Sequence, residues 1–139
     1  MSSLTSRRSH LDPLLLWIRV ATSALLFVGH GVGKYHVLQG DTASFPDPLG
    51  LGPTLSLLSS MAVECLASVL VAVGLLTRLA CLSILFTMAT VAIIVHRHDS
   101  WALTEPSVLF FLLFSVILSL GPGRYSLDAL RARKLPGGA

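Results

Sequence analysis

The sequence predicts an all-α integral membrane protein, a four-helix bundle with both termini cytoplasmic and a short amphipathic C-terminal helix. The chain is 53% hydrophobic and only 12% charged, and its mean hydropathy is +0.78, unlike an ordinary soluble domain. Its apolar residues gather in four segments, each near the roughly 20 residues that a membrane helix needs. We therefore expect one transmembrane domain over residues 1–139, without a separate soluble module.

The first two predicted spans cover residues 14–33 and 55–76. Arg19 and His30 interrupt the first, and Glu64 lies near the middle of the second. A carboxylate at that depth costs about 3 kcal/mol on insertion scales, so we expect it to face protein or a water-filled pocket. Since ionisable residues within a membrane usually mark functional sites, Glu64 is the first candidate.

The third and fourth predicted spans cover residues 79–96 and 105–120. Only Thr77 and Arg78 separate the second span from the third, which predicts a tight antiparallel hairpin. Thr104 is predicted to cap the fourth helix. The long connection between the first two spans is rich in Gly, Pro and Asp, as expected of an external loop that covers a pocket or contacts a partner.

The residues after the fourth span predict a short helix on the membrane surface. Gly121-Pro122-Gly123 ends the fourth helix, and Ser126 is placed to cap the next one. In that helix Leu127 and Leu130 oppose three basic residues, Arg131, Arg133 and Lys134. A basic amphipathic helix of this kind suits an anionic inner leaflet.

The basic residues predict the orientation of the bundle. Lys34 and Arg97 fall at the end of the bundle opposite to the termini. Seven others fall at the end that holds both termini: Arg7, Arg8, Arg78, Arg124, Arg131, Arg133 and Lys134. By the positive-inside rule both termini are cytoplasmic. The net charge of +3 then reflects topology, and we expect the lipid bilayer, not nucleic acid, as the partner of these charges.

Polar and small residues recur at helical spacing along the first two spans. One stripe holds Arg19, Ser23, Leu26, His30 and Gly33, and the other holds Ser56, Ser60, Glu64, Ser68 and Ala72. Small and hydroxyl residues at this spacing are typical of close helix–helix contacts in lipid. We expect the two stripes to face each other or a common cavity.

The ionisable residues are predicted to converge in the outer half of the bundle. Counted from the cytoplasmic ends at about 1.5 Å per residue, Glu64 lies about 18 Å up and His30 and His96 near 25 Å. Glu105 is expected to join this layer, with Lys34 at its rim. The candidate pocket therefore comprises Arg19, His30, Lys34, Glu64, His96 and Glu105, and its imidazoles suit proton relay near neutral pH.

Other interpretations of these residues remain open. Arg19 and Glu64 are also placed for a structural ion pair, and His30 and His96 for interfacial positions with their polar edges in water. A metal site or a haem would draw on the same histidines and carboxylates, but no HExxH or CxxCH motif is present. We therefore predict a proton-coupled pocket and no metal ion.

The chain also resembles a known family, the DoxX family of small four-span membrane proteins, over about residues 14–130. The resemblance rests on the order and spacing of Arg19, Gly29-His30-Gly31-Val32-Gly33-Lys34, Glu64, Gly74-Leu75-Leu76-Thr77-Arg78, His96, Glu105 and Gly121-Pro122-Gly123-Arg124-Tyr125-Ser126-Leu127-Asp128. The namesakes of the family are linked to thiosulfate:quinone oxidoreductase, and other members accompany redox or thiol-stress systems. The resemblance implies a bacterial inner-membrane protein connected with redox chemistry through a quinone.

Two functions follow as hypotheses. In the first, the chain is a redox-associated subunit, and if it is an enzyme it is part of a quinone-linked oxidoreductase. Arg19 or His30 would hydrogen-bond the quinone, and Glu64 with His96 and Glu105 would pass protons outward. Since the sequence indicates no intrinsic cofactor, electrons would come from a partner.

In the second hypothesis, the chain is a non-catalytic accessory subunit of a larger membrane complex. Either way we expect other subunits or a homo-oligomer as partners; a channel is disfavoured because four short spans leave little lumen.

Overall fold

The computed structural model describes the backbone of residues 2–134 and the side chains of residues 11–134. Within them it confirms the predicted all-helical architecture with four helices long and apolar enough to cross a membrane. These are α1 (Leu11–Gln39), α2 (Pro53–Val73), α3 (Thr77–Val95) and α4 (Trp101–Leu120), followed by the short helix α5 (Leu127–Lys134). The helical backbone of α1 extends back to Ser2.

The two ends of the bundle differ in what they carry. We call the end with the α2–α3 turn and α5 the terminal end, and the end with residues 40–52 and 96–100 the loop end. The cytoplasmic orientation of the terminal end stays a prediction, and the side chains of Arg7 and Arg8, which contribute to it, lie outside the described residues.

The α2–α3 hairpin forms as predicted, but its turn lies earlier in the chain. Gly74 ends α2 in the left-handed conformation, with φ of 74°, which a glycine adopts without steric cost. Leu76 follows with φ of 49°, and α3 begins at Thr77. The predicted connection through Thr77 and Arg78 is therefore wrong, because the glycine ends α2 three residues before the apolar run ends.

Two other boundaries differ from the sequence prediction. The first span does not stop at Gly33 but continues to Gln39, because Gly33 keeps a negative φ and caps nothing. The fourth helix begins at Trp101, with Ser100 as its N-cap in an extended conformation. The predicted cap, Thr104, lies within the helix, so that prediction is wrong.

Three of the spanning helices contain a π-helical turn. These turns cover Phe27–Gly31 in α1, Ala62–Ala67 in α2 and Val91–Val95 in α3. A π turn inserts one residue into a helix and is frequent at functional sites. His30 and Glu64 lie within two of these turns, and His96 follows the third directly, so the irregular backbone coincides with three candidate residues.

The hydrophobic core joins all four spanning helices. Its fully buried members include Leu26 from α1, Val71 from α2, Ile84 from α3, and Phe114 and Ile117 from α4. Leucines on the outer faces of the same helices are largely exposed, as expected for surfaces that contact lipid rather than water. The core fixes the relative positions of the helices that carry the candidate residues.

Candidate functional site

A cleft of about 700 Å³ lies between the spanning helices and reaches the loop end. Its walls on α3 run from Leu79 to Val95, a length of about 24 Å at 1.5 Å per residue. Leu79, Leu82 and Phe86 belong to this wall and are each more than half exposed. The cleft is therefore elongated and opens at the lipid-facing surface of the bundle.

The polar side chains of the cleft are concentrated near its loop end. His30, Lys34, Glu64 and His96 all line it there. Hydroxyl side chains on the walls also occur, but several of them donate to carbonyls of their own helices: Ser59, Ser60, Ser83, Thr90 and Ser107. Because those hydroxyls are already bonded, the ionisable groups are the main polar contacts left for a ligand.

Lys34 and Glu64 form an ion pair in the cleft wall. Lys34 Nζ donates to Glu64 Oε1, and the side chains are 20% and 3% exposed. The other carboxylate oxygen, Oε2, is buried without a hydrogen-bond partner among the described residues. Burying such a pair costs desolvation free energy that their attraction repays only in good geometry, and removing one partner leaves a buried charge. Glu64 is thus held as a buried acceptor at the polar end of the cleft.

The sequence placed Lys34 only at the rim, and two features of α1 explain its deeper position. The helix continues past Lys34 to Gln39, so the residue projects from a rigid helix and not from a loop. The π turn at Phe27–Gly31 also rotates the residues that follow it by about one position. Gly31, and not the predicted Gly33, therefore lies against α2, since a Cβ on Gly31 would be 2.6 Å from Cys65 Sγ.

His30 lies on the same wall beside an aromatic side chain of α4. Its ring meets that of Phe110 edge to face, with centroids 5.4 Å apart, and both residues line the cleft. Phe114, whose ring is 6.5 Å from that of Phe110, is instead fully buried in the core. On this side the cleft is therefore lined by an imidazole and a phenyl ring that contact each other.

His96 and Glu105 have different environments. His96 lines the cleft, and its Nδ1 lies 2.8 Å from Asp99 Oδ2. Sequence reasoning missed Asp99, although the signal was present in its position three residues after a histidine at a helix end. Glu105 is exposed and lies outside the cleft wall, although the next residues, Pro106 and Ser107, line it. The structure thus brings together His30, Lys34, Glu64 and His96 but not Glu105.

Arg19 is also separate from the cleft. It is 1% exposed at the terminal end, where its guanidinium donates to the carbonyls of Pro122, Ala72 and Tyr125, the last two at 3.1 and 2.9 Å. The alternative pairing of Arg19 with Glu64 is not formed, since each side chain has other partners. Arg19 fastens the segment after α4 to the end of α2, an arrangement the sequence did not reveal because its acceptors are backbone atoms.

Asp128 completes this terminal-end network. Its carboxylate accepts from Leu76 N, Thr77 N and Thr77 Oγ1 at 2.9 to 3.0 Å. Burial raises the pKa of Asp128, but the hydrogen bonds from Thr77 and Leu76 outweigh burial, so the pKa lies below its ordinary value. Ser126 Oγ accepts from Ala129 N at 3.1 Å, which confirms the predicted cap of α5. The network holds α5 on the hairpin turn.

The loop between α1 and α2 covers the polar end of the cleft. Phe45 and several neighbouring proline and leucine residues line it from above, and the ring of Phe45 lies 5.9 Å from Lys34 Nζ, within cation–π range. Asp47 holds the loop in place by accepting from Ser56 Oγ at 2.7 Å and from Leu51 N and Gly52 N at 3.0 and 2.8 Å. These hydrogen bonds lower the pKa of Asp47, and the bond from Ser56 has the largest effect.

The shape and lining of the cleft are typical of a site for a small organic molecule. Within residues 11–134 no group of three or more His, Cys, Asp or Glu side chains is placed to hold a metal ion. An elongated apolar cleft with a few converging polar groups at one end is typical of small-molecule sites. The chemistry it can offer is hydrogen bonding, charge stabilisation by Lys34 and proton exchange by Glu64, His30 and His96.

Comparison of the sequence with known protein families gives a match. The sequence model of the DoxX family matches residues 14–97, which is more than half of the chain. The matched part holds α1, α2 and α3 together with the cleft residues His30, Lys34, Glu64 and His96. Neither a curated protein nor a solved structure matches the chain.

Proposed function

We propose, because the chain belongs to the DoxX family of membrane proteins, that it is a redox-associated membrane subunit whose cleft binds a quinone-type molecule. One observation carries the proposal. An apolar cleft open to the lipid-facing surface has the buried Lys34–Glu64 ion pair at its polar end. A molecule with a polar ring and a long apolar tail is complementary to a cleft that is apolar along its length and polar at one end.

The residues present fit such a molecule in three respects. A lipophilic ligand dissolved in the bilayer would enter beside Leu79, Leu82 and Phe86, which are exposed to lipid. Its tail would lie along α3, whose wall is about 24 Å long. Its ring would reach the end of the cleft where Lys34 and His30 offer hydrogen-bond donors. Cavities of this size hold drug-sized ligands.

When bound, a quinone supplies a site that accepts two electrons together with two protons. Lys34 donates a hydrogen bond to the ligand oxygen and stabilises negative charge there in a water-poor cleft. Glu64 holds and exchanges a proton beside it. His30 and His96 connect this position with the loop end, and Phe45 limits the entry of water. Electrons come from a partner protein.

The proposed setting is a bacterial inner membrane with both termini in the cytoplasm. Seven basic residues at the terminal end, against two at the loop end, favour that orientation. The polar end of the cleft then faces the outer side of the membrane, and protons are exchanged with that side.

Replacing one carboxylate tests the proposal. Glu64→Gln keeps the shape of the side chain but removes the charge that positions Lys34, the proposed hydrogen-bond donor to the ligand. The affinity for a short-tailed ubiquinone analogue, titrated into nanodiscs, should therefore fall about ten-fold. Glu105→Gln is the matched control, because it makes the same change at the same end of the bundle outside the cleft. Equal affinities of the wild type and Glu64→Gln would overturn the proposal.

The buried ion pair also favours a second candidate, a non-catalytic accessory subunit. A pair that joins α1 to α2 fixes how these helices align, which a scaffold in a larger membrane complex requires. In that case Glu64→Gln lowers the abundance of the assembled complex without changing quinone turnover per assembled complex. A lower turnover at unchanged abundance favours the quinone site.

A further inference from the structure

A second concave site lies at the terminal end, far from the cleft. It is a groove of about 400 Å³ between the end of α2 and the segment that leads into α5. Its apolar floor is formed by Val73, Leu127 and Leu130, and its edges carry Arg124, Tyr125 and Arg133. We call it the terminal groove.

The cations of the terminal groove are two arginines, Arg124 and Arg133. Among the side chains that the structure describes, neither Arg124 nor Arg133 forms an ion pair. The nearby carboxylate of Asp128 already accepts three hydrogen bonds from the α2–α3 turn, and Arg131 contributes to stabilising its charge. The carboxylate of Asp12 accepts a hydrogen bond from the backbone amide of Arg124 at 3.1 Å, not from its guanidinium. Two guanidinium groups at the groove therefore remain available for an anion.

The apolar floor is equally unpartnered. Val73, Leu127 and Leu130 are each between 41% and 48% exposed, although they lie at the level where α2 leaves the membrane. An apolar floor under two arginines and an interfacial tyrosine is complementary to the junction between a phosphate and acyl chains. Tyrosine is enriched at this depth, and arginine binds phosphate with two parallel hydrogen bonds.

We propose that the terminal groove is a binding site for one anionic phospholipid, with its phosphate between Arg124 and Arg133 and the start of its acyl chains over Leu127 and Leu130. This differs from a general attraction of basic residues to an anionic leaflet, because it requires two particular arginines. The bound lipid bridges the end of α2 and α5, and so reinforces the docking that Asp128 provides.

Native mass spectrometry of the full chain tests the site. The protein is delipidated and equilibrated with equal amounts of dioleoyl phosphatidylglycerol and dioleoyl phosphatidylcholine, which share their acyl chains. The wild type should retain one phosphatidylglycerol in preference, and R124Q/R133Q should lose about ten-fold in retention. The matched control R131Q/K134Q removes the same number of charges at the same end of the bundle, from residues of α5 outside the groove, and should retain the lipid.

Three results would overturn the proposal: equal retention of the two lipids, equal loss in both double variants, or displacement of the lipid by millimolar inorganic phosphate. A second measurement needs no variant. Because a ligand that binds only the folded state raises its unfolding temperature, phosphatidylglycerol should stabilise the wild type more than phosphatidylcholine at equal concentration, and equal effects would contradict a specific site.

Discussion

Gly31 shows how a single missing side chain shapes the candidate site. A Cβ at this position would lie 2.6 Å from Cys65 Sγ and 3.6 Å from the carbonyl oxygen of Glu64. The absence of a side chain lets α1 approach the part of α2 that carries Glu64, as small residues do between membrane helices. This approach places Lys34, three residues further along α1, within reach of the carboxylate.

Gly31→Ala should therefore destabilise the bundle by about 1–3 kcal/mol, because overpacking at a close contact forces the helices or a side chain to shift. Gly29→Ala and Gly33→Ala are matched controls, since a Cβ at either position meets nothing within 4 Å. Unfolding in mixed detergent micelles measures the difference. Adding Cys65→Ala to Gly31→Ala removes the obstructing sulfur and should restore stability; without such a rescue the steric explanation fails.

The connection between α1 and α2 acts as a cover through one carboxylate. Asp47 accepts hydrogen bonds from two backbone amides and from Ser56 Oγ, which ties the loop to the first turn of α2. The same loop brings Phe45 to within 5.9 Å of Lys34 Nζ. A carboxylate far from the proposed chemistry therefore determines how closed the polar end of the cleft is.

The loop should open in acid. Because hydrogen bonds lower the pKa of Asp47 from its ordinary value of 3.8, its stabilising contribution is complete above that value and is lost as the pH falls through the lower folded-state pKa. Hydrogen exchange of residues 41–52, corrected for intrinsic rates, should increase in that range. Asp47→Asn should show the faster exchange already at pH 7, whereas Asp41→Asn, which weakens only the bond that Ala43 N donates to Asp41 Oδ1, should change it less. A loop equally protected at pH 2 and pH 7 would contradict this role.

At the scale of the whole molecule, the depth of a residue along its helix could be predicted from the sequence, but the partner of its side chain could not. Glu64 lies near the middle of α2 (Pro53–Val73), and this depth was predictable by counting residues along an apolar run. Its partner was not, because the π turn in α1 changes which face Lys34 occupies and no composition signal marks such a turn. Arg19 has backbone acceptors more than 50 positions away, which helical periodicity does not reveal. Glu105 was misplaced because it was assigned to the pocket by depth alone, and depth does not determine which face of α4 carries a residue.

The orientation of the whole bundle decides which side of the membrane supplies protons to the cleft. With seven Lys and Arg residues at the terminal end and two at the loop end, the positive-inside rule places the loop end outside. In a Gram-negative host, alkaline phosphatase fused after His98 should therefore be active, and the same enzyme fused after Arg78 or Ala139 should be inactive. Green fluorescent protein at the C-terminus should fluoresce, since it matures in the cytoplasm. The reverse pattern would mean that Glu64 and His96 exchange protons with the cytoplasm, and would reverse the direction of proton movement that we propose while leaving the geometry of the cleft unchanged.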